Sequence, residues 1–172
     1  DYLEKGKLAW NTEMKVSSTA ASRSPSKLNL KVGSTILVKD AVNALIIKSA
    51  NDVATVVAEH IAETERKFAK LMTKYANSLG MSKTTFKNAS GLPNKAQMTT
   101  ARDMSKLSYE LISNFPNEYK LFSKDKFKWQ GKTYKTHNRL MQSYIGGDGI
   151  KTGYIRASGF QLAFSAVRNN KR

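Results

Sequence analysis

Apolar residues recur at helical spacing through most of the chain and alternate with polar ones only towards its end. In "AVNALIIKSA", residues 41–50, Val42, Leu45 and Ile46 fall on one helical face. That spacing predicts a buried helix with Asp40 as its N-cap and an end near Ser49. Asp52 then caps a second apolar helix, "VATVVAEHIA", with Val53, Val56, Val57 and Ile61 inward. A third runs from about Thr64 to Leu79, carries Phe68, Leu71, Met72 and Tyr75, and stops at Gly80. Thr100 and Asp103 resemble a capping box before "MSKLSYELIS", which ends ahead of Phe115-Pro116. The opening to Trp10 reads as the tail of a helix. Ser17–Ser26, with Pro25, reads as a small-polar loop, Lys31-Val32-Gly33 as a turn, "STILVKD" as a short extended piece ending at Asp40, and "NASGLPN" as a loop.

The period changes to two in "KFKW-QG-KTYK", a hairpin about Gln130-Gly131. After a loop through Gly146-Gly147, "GIKTGYI" and "FQLAFSAV" read as two further strands. No internal repeat or domain boundary interrupts the chain. Helices first and strands last predict an α+β fold in one domain.

Composition narrows the function classes. At 172 residues the chain can bury a real core. No apolar run is long enough to span a bilayer, and no signal-like apolar stretch opens the sequence. Cysteine is absent, which excludes disulfides and thiolate chemistry. The formal charge of +16, from 29 Lys+Arg against 13 Asp+Glu, favours anionic partners. The lysines are scattered and no nucleic-acid-binding motif accompanies them, so a nucleic-acid partner is not expected. Two histidines and no cysteine give no zinc site, and no Gly-x-Ser-x-Gly elbow supports a Ser-His-Asp triad. His60 reads as a helix-surface or packing residue, and His137 as structural.

Two motifs carry chemistry. Lys151-Thr152-Gly153 heads a predicted strand, and chance supplies only about 0.1 such triplets in a chain this long. A glycine there leaves room for a ligand backbone to approach; a lysine guarding an edge strand is the blander reading. Ser49-Ala50-Asn51 sits between two apolar helices. Chance supplies about one Ser-x-Asn, but polar side chains between buried helices must find partners. Capping of the second helix by Asn51 or Asp52 is the simple alternative.

Together, Ser-x-Asn followed by Lys-Thr-Gly resembles the active-site serine enzymes that bind penicillin. The blocks "KLNLKVGSTILVKDAVNALIIKSANDVATVVAEHI", "ANSLGMSKTTFKNASGLPN", "TTARDMSKLS", "KTHNRL" and "DGIKTGYIRASGFQLAFSAV" are similar to consecutive blocks of the D-alanyl-D-alanine carboxypeptidases, the low-molecular-mass penicillin-binding proteins of peptidase family S11. The resemblance implies a β-lactamase/transpeptidase-like fold, here a helical cluster plus part of an antiparallel sheet. It implies removal of the terminal D-alanine from peptidoglycan stem peptides through an acyl-serine intermediate, without metal or cofactor. The implied partners are a stem peptide ending in D-Ala-D-Ala, with β-lactams as inhibitors of the full-length protein. The implied place is outside the cytoplasm, in the periplasm or on the outer face of the cytoplasmic membrane, with membrane association only through segments not in this sequence.

The resemblance also assigns roles. Ser49 would relay protons, Asn51 would orient the substrate amide, and Lys151 would supply positive charge and support the relay. Thr152 would bind the terminal carboxylate beside Gly153, and Arg139 would help hold it. The Tyr154 N–H would form half of an oxyanion hole. Many relatives carry threonine where Ile155 stands, so a hydroxyl is lost there. The nucleophile of these enzymes lies in a Ser-x-x-Lys pair at a helix start, upstream of Ser-x-Asn. The two matches here, Ser24 to Lys27 and Ser123 to Lys126, do not suit: the first lies in a polar loop, the second follows Ser-x-Asn. The expectation is a single partial domain over residues 1–172, truncated at both ends, inactive alone and folding poorly without its complement. A non-catalytic peptidoglycan-binding module that uses its basic surface is the alternative. A β-lactamase of the same superfamily fits the block order less well.

Overall fold

A computed structural model describes residues 2–172; Asp1 lies outside them. The opening segment forms hydrogen-bonded turns rather than a helix tail, with Gly6 N–H donating to the Leu3 carbonyl at 3.0 Å. Gly6, at φ +66°, ends that turn before a helix can propagate. Strand β1 (Glu13–Lys15) pairs antiparallel with β2 (Thr35–Leu37), placing Met14 opposite Ile36. Each strand has one fully buried residue between exposed or half-buried neighbours. The loop between them holds one helical turn, α1 (Ser18–Ala21), because Ser17 Oγ accepts the Ala20 N–H at 3.0 Å.

β2 runs straight into α2 (Val38–Asn43), which widens into a π-helical turn over Ala44–Lys48. Leu37, still extended, is the N-cap; Asp40 lies inside the first turn, where its carboxylate suits the positive end of the helix. The most buried positions are Ala41, Ala44, Ile47 and Ala50, while Val42, Leu45 and Ile46 are half-buried against the same core. Three alanines and Ile47 thus form the inward row, and the larger Val42, Leu45 and Ile46 fill its flanks. Helix α3 (Asn51–Ala62) has Ala50 as its N-cap. Asp52 does not cap it. Its fully buried carboxylate accepts from the Leu28 and Leu30 N–H groups at 3.1 Å each, and from Val53 N–H at 2.9 Å. It thus fastens a distant loop to the start of α3. Val53 and Val56 are buried as the pattern requires; Val57 and Ile61 are half-buried.

Helix α4 (Glu65–Ser78) is capped by Thr64, whose Oγ1 accepts the Lys67 N–H at 3.2 Å, and closes at Gly80 in the left-handed region. Helix α5 (Ala101–Asn114) is capped by Thr100, whose Oγ1 accepts the Asp103 N–H. The return half of the box is absent: Asp103 accepts instead from Lys83 N–H and Thr84 Oγ1. A short α6 (Pro116–Tyr119) and a 3₁₀ turn (Lys120–Ser123) lead to β3 (Lys126–Trp129) and β4 (Lys132–Lys135). Gln130 and Gly131, at φ +44° and +78°, close this hairpin as a two-residue turn. A short α7 (Leu140–Ser143) precedes the long hairpin of β5 (Gly147–Ile155) and β6 (Gly159–Ala166).

Among the described residues the three sheets are antiparallel pairs, so the expected α+β mixture of helices and antiparallel sheet is present. The main core lies where β1, β2 and the α2–π segment meet α3, centred on Met14, Ile36, Ile47, Val53 and Val56, with Phe127 of β3 at its edge. Each such side chain contributes about 1.5–3 kcal/mol by leaving water.

Candidate functional site

The break between the π turn and α3 builds the first half of the site. Ser49 ends the turn in the left-handed conformation, φ +55° and ψ +47°. Buried Ala50 anchors the link and Asn51 starts α3. The loop Ser24-Pro25-Ser26 closes over this elbow: Asn51 N–H donates to the Ser26 carbonyl at 2.7 Å, and its Nδ2 to the Ser24 carbonyl at 3.0 Å. Ser26 Oγ in turn donates to the Lys48 carbonyl at 2.8 Å. Asn51 is therefore fixed by the elbow it helps to form.

Strand β5 supplies the second half. Lys151 Nζ donates to Ser49 Oγ across 102 positions of sequence, and to the Thr152 carbonyl at 2.8 Å. Burial pushes its pKa down, from the ordinary 10.5 to about 8. At neutral pH the ammonium still predominates. The charge is poorly solvated and available to an anion or to proton transfer. Thr152 is half-buried, and Tyr154 is exposed with its ring against Phe160 at a centroid distance of 4.6 Å. A Cβ built on Gly153 would meet only Gln161 Cβ at 3.8 Å, an ordinary contact. Nothing in the chain itself forbids a side chain there.

Of the residues singled out in the sequence, Ser49, Asn51 and Lys151 come together, with Thr152, Gly153 and Tyr154 following along β5. Arg139 is exposed at the start of α7, and its guanidinium makes no hydrogen bond or ion pair with the described residues. His137 and Lys48 are the basic groups beside the cluster: burial, then the charges of Lys48 and Lys151, hold the His137 pKa below the usual value. Only the place of His137 two residues before Arg139 pointed to it in the sequence. Asn138 between them is buried and donates to the Gly149 carbonyl at 3.2 Å, tying this loop to β5. Neither Ser-x-x-Lys match forms a pair. Lys27 Nζ donates to the Ala21 carbonyl, and Ser123 Oγ to the Lys120 carbonyl.

The family profile described as D-alanyl-D-alanine carboxypeptidase, Peptidase S11, matches residues 1–172. The chain is 35% identical to the D-alanyl-D-alanine carboxypeptidase DacF of Bacillus subtilis (strain 168), over all of this chain and 45% of that protein. It superposes on the crystal structure of the carboxypeptidase DacD from Francisella tularensis with a TM-score of 0.93, at 28% identity, covering 98% of this chain and 54% of that one. Penicillin-binding protein D2 from Listeria monocytogenes, solved in an ampicillin-bound form, gives a TM-score of 0.86 at 30% identity, covering 98% and 69%. The chain spans less than half the length of the Bacillus relative.

Proposed function

Because the chain belongs to the D-alanyl-D-alanine carboxypeptidase family of serine peptidases, we propose that it forms the substrate-side wall of a carboxypeptidase that removes terminal D-alanine from peptidoglycan stem peptides. A serine hydroxyl, assigned to no residue of this chain, attacks the penultimate D-alanyl carbonyl. Terminal D-alanine leaves as the amine, and water then hydrolyses the acyl-serine. The Ser49–Lys151 hydrogen bond carries this reading, because it joins a hydroxyl from the head of α3 to a half-buried amine at the middle of β5. Ser49 relays the proton to the leaving nitrogen, and Lys151 holds positive charge beside it. Asn51 orients the peptide amide. Thr152, with Gly153 leaving room, receives the terminal carboxylate, and the Tyr154 N–H faces the developing oxyanion. Arg139, exposed at the head of α7, adds long-range attraction for that carboxylate. A β-lactam enters the same groove as an acylating inhibitor, and an exported location follows from a peptidoglycan substrate.

The test is fluorescent penicillin labelling of the protein expressed from its complete gene, beside D-alanine release from a peptide ending in D-Ala-D-Ala. Covalent labelling and release, both lost in Lys151→Met, are expected. A folded protein that binds peptidoglycan in a salt-sensitive way, takes no label and releases no D-alanine would replace this reading with a non-catalytic binding module.

A further inference from the structure

Strand β5 begins with an irregularity. Gly147 pairs with Ala166 and Gly149 with Ser165, so Asp148 is an extra residue with no partner on β6. A one-residue insertion of this kind resets the alternation of the strand beyond it. Lys151 lies three positions downstream. Whether its amine meets Ser49 or turns to the opposite face therefore depends on the bulge staying where it is.

The bulge is held from both sides. Asp148 Oδ1 accepts from Tyr119 Oη at 3.0 Å and from Arg172 Nη1 at 3.0 Å, while Oδ2 pairs with Arg172 Nη2 at 2.8 Å. The Arg172 guanidinium also lies over the Tyr119 ring, 5.2 Å from its centroid, and donates to Ser165 Oγ on β6. Tyr119 is buried and stacks on Phe122 at 5.7 Å, so its hydroxyl is fixed. That hydroxyl abuts Gly149: a Cβ at this position would lie 2.6 Å from it. Opposite, Asn138 Nδ2 holds the Gly149 carbonyl.

We propose that Tyr119, Asp148 and Arg172 clamp the β5 bulge and thereby aim Lys151 at Ser49, which makes them positioning residues for the site. The inference rests on the catalytic reading of the Ser49–Lys151 pair. The clamp touches neither member of that pair and acts only through the phase of the strand. An ion pair with a bidentate arginine, backed by a buried phenol, suits this task because it fixes the direction of a carboxylate as well as its position.

The test follows the Lys151 ammonium by ¹³Cε-lysine NMR titration of the protein expressed from its complete gene, with the resonance assigned by Lys151→Arg. His137 and Lys48, the other basic groups of the cluster, are unchanged throughout. In the native chain the midpoint is expected near 8. In Asp148→Asn it should rise by about one unit towards the ordinary lysine value, a tenfold change in proton affinity. Arg168→Met, beside Tyr144, should leave it in place. Circular dichroism reports whether each variant is folded. If Asp148→Asn unfolds, Tyr119→Phe, which keeps the ring stack and loses the hydroxyl, carries the test with the same expected direction. A folded Asp148→Asn or Tyr119→Phe variant with an unmoved midpoint overturns the proposal, as does a drop in melting temperature without that shift. Penicillin labelling of the whole-gene protein is separate: its failure would sink the catalytic reading and leave the titration to decide the clamp.

Discussion

Replacing Asp52 by Asn changes one atom and should cost far more than a surface substitution. The native carboxylate is fully buried and its two oxygens serve three backbone donors: Leu28 and Val53 on Oδ1, Leu30 on Oδ2. An asparagine can keep its oxygen towards the first two. Its NH₂ then faces the Leu30 N–H, donor against donor. One charge-assisted bond is lost, about 1.5–3 kcal/mol, and the buried N–H is left unsatisfied. Allowing for weakening of the two surviving bonds, the expected loss is about 3–4 kcal/mol. Urea unfolding followed by circular dichroism should show a lower midpoint with an unchanged slope. Thermal melting should fall by roughly 6–15 °C for a chain of this size. Asp40→Asn, which removes only a first-turn charge on α2, should cost about 0.3–1 kcal/mol. The loop from Ser24 to Leu30 also closes on Asn51, so the damage should reach the site. An Asp52→Asn variant within about 0.5 kcal/mol of native stability would refute the reasoning that this carboxylate fastens the loop.

Other outcomes follow from the same geometry. Ser49→Ala should leave the melting temperature within a few degrees and slow penicillin labelling of the whole-gene protein about 10²–10³-fold, as expected for loss of one proton-relay group. The Lys151 amine has a lower pKa folded than unfolded, so the folded chain gives up this proton first. Stability from this group therefore rises with pH between about 8 and 10.5, by ~3 kcal/mol, and the penalty of burying the charge is felt in full below 8. Over the same window, affinity for a carboxylate-terminated peptide should fall as the charge is lost, and equilibrium dialysis across that range measures it. Gly146→Ala should be among the most damaging glycine substitutions: φ is +83° and the new Cβ would lie 2.0 Å from the Val167 carbonyl oxygen. A loss of about 3 kcal/mol or more is expected, against about 1 kcal/mol for Gly33→Ala, where φ is +81° but space is open. Paired thermal melts compare the two.

The residues that announce themselves in the sequence are those whose local chemistry decides the outcome. Thr64 and Thr100 cap because a hydroxyl one position ahead of an apolar periodicity has an N–H to accept. Gln130-Gly131 fixes its hairpin because only a two-residue turn joins the flanking alternations. Ser49 and Lys151 were legible as motifs, and their meeting could be expected only through the family resemblance. What stayed hidden depends on neighbours far along the chain. Asp52 carries the composition of a helix cap, yet its partners are Leu28 and Leu30. The apolar stripe of Val42, Leu45 and Ile46 lies on the flank of its helix, whereas the most buried face carries Ala41, Ala44, Ile47 and Ala50. A π turn leaves no compositional trace. β1 escaped because three residues with one apolar side chain are too few to show a period. His137 drew less attention than Arg139 because a longer cation looks better suited to an anion; position relative to β5, set by Asn138, decides which of them shares the environment of Lys151.

The left-handed backbone at Ser49 restricts how this position can drift over evolutionary time. Threonine would preserve an alcohol, but a branched Cβ is poorly accommodated at φ +55°. Glycine and asparagine would relax the backbone and discard the alcohol. The replacement closest in reactivity is thus the one the chain path resists most, and the replacements the path welcomes are chemically mute. None of these three replacements satisfies both demands.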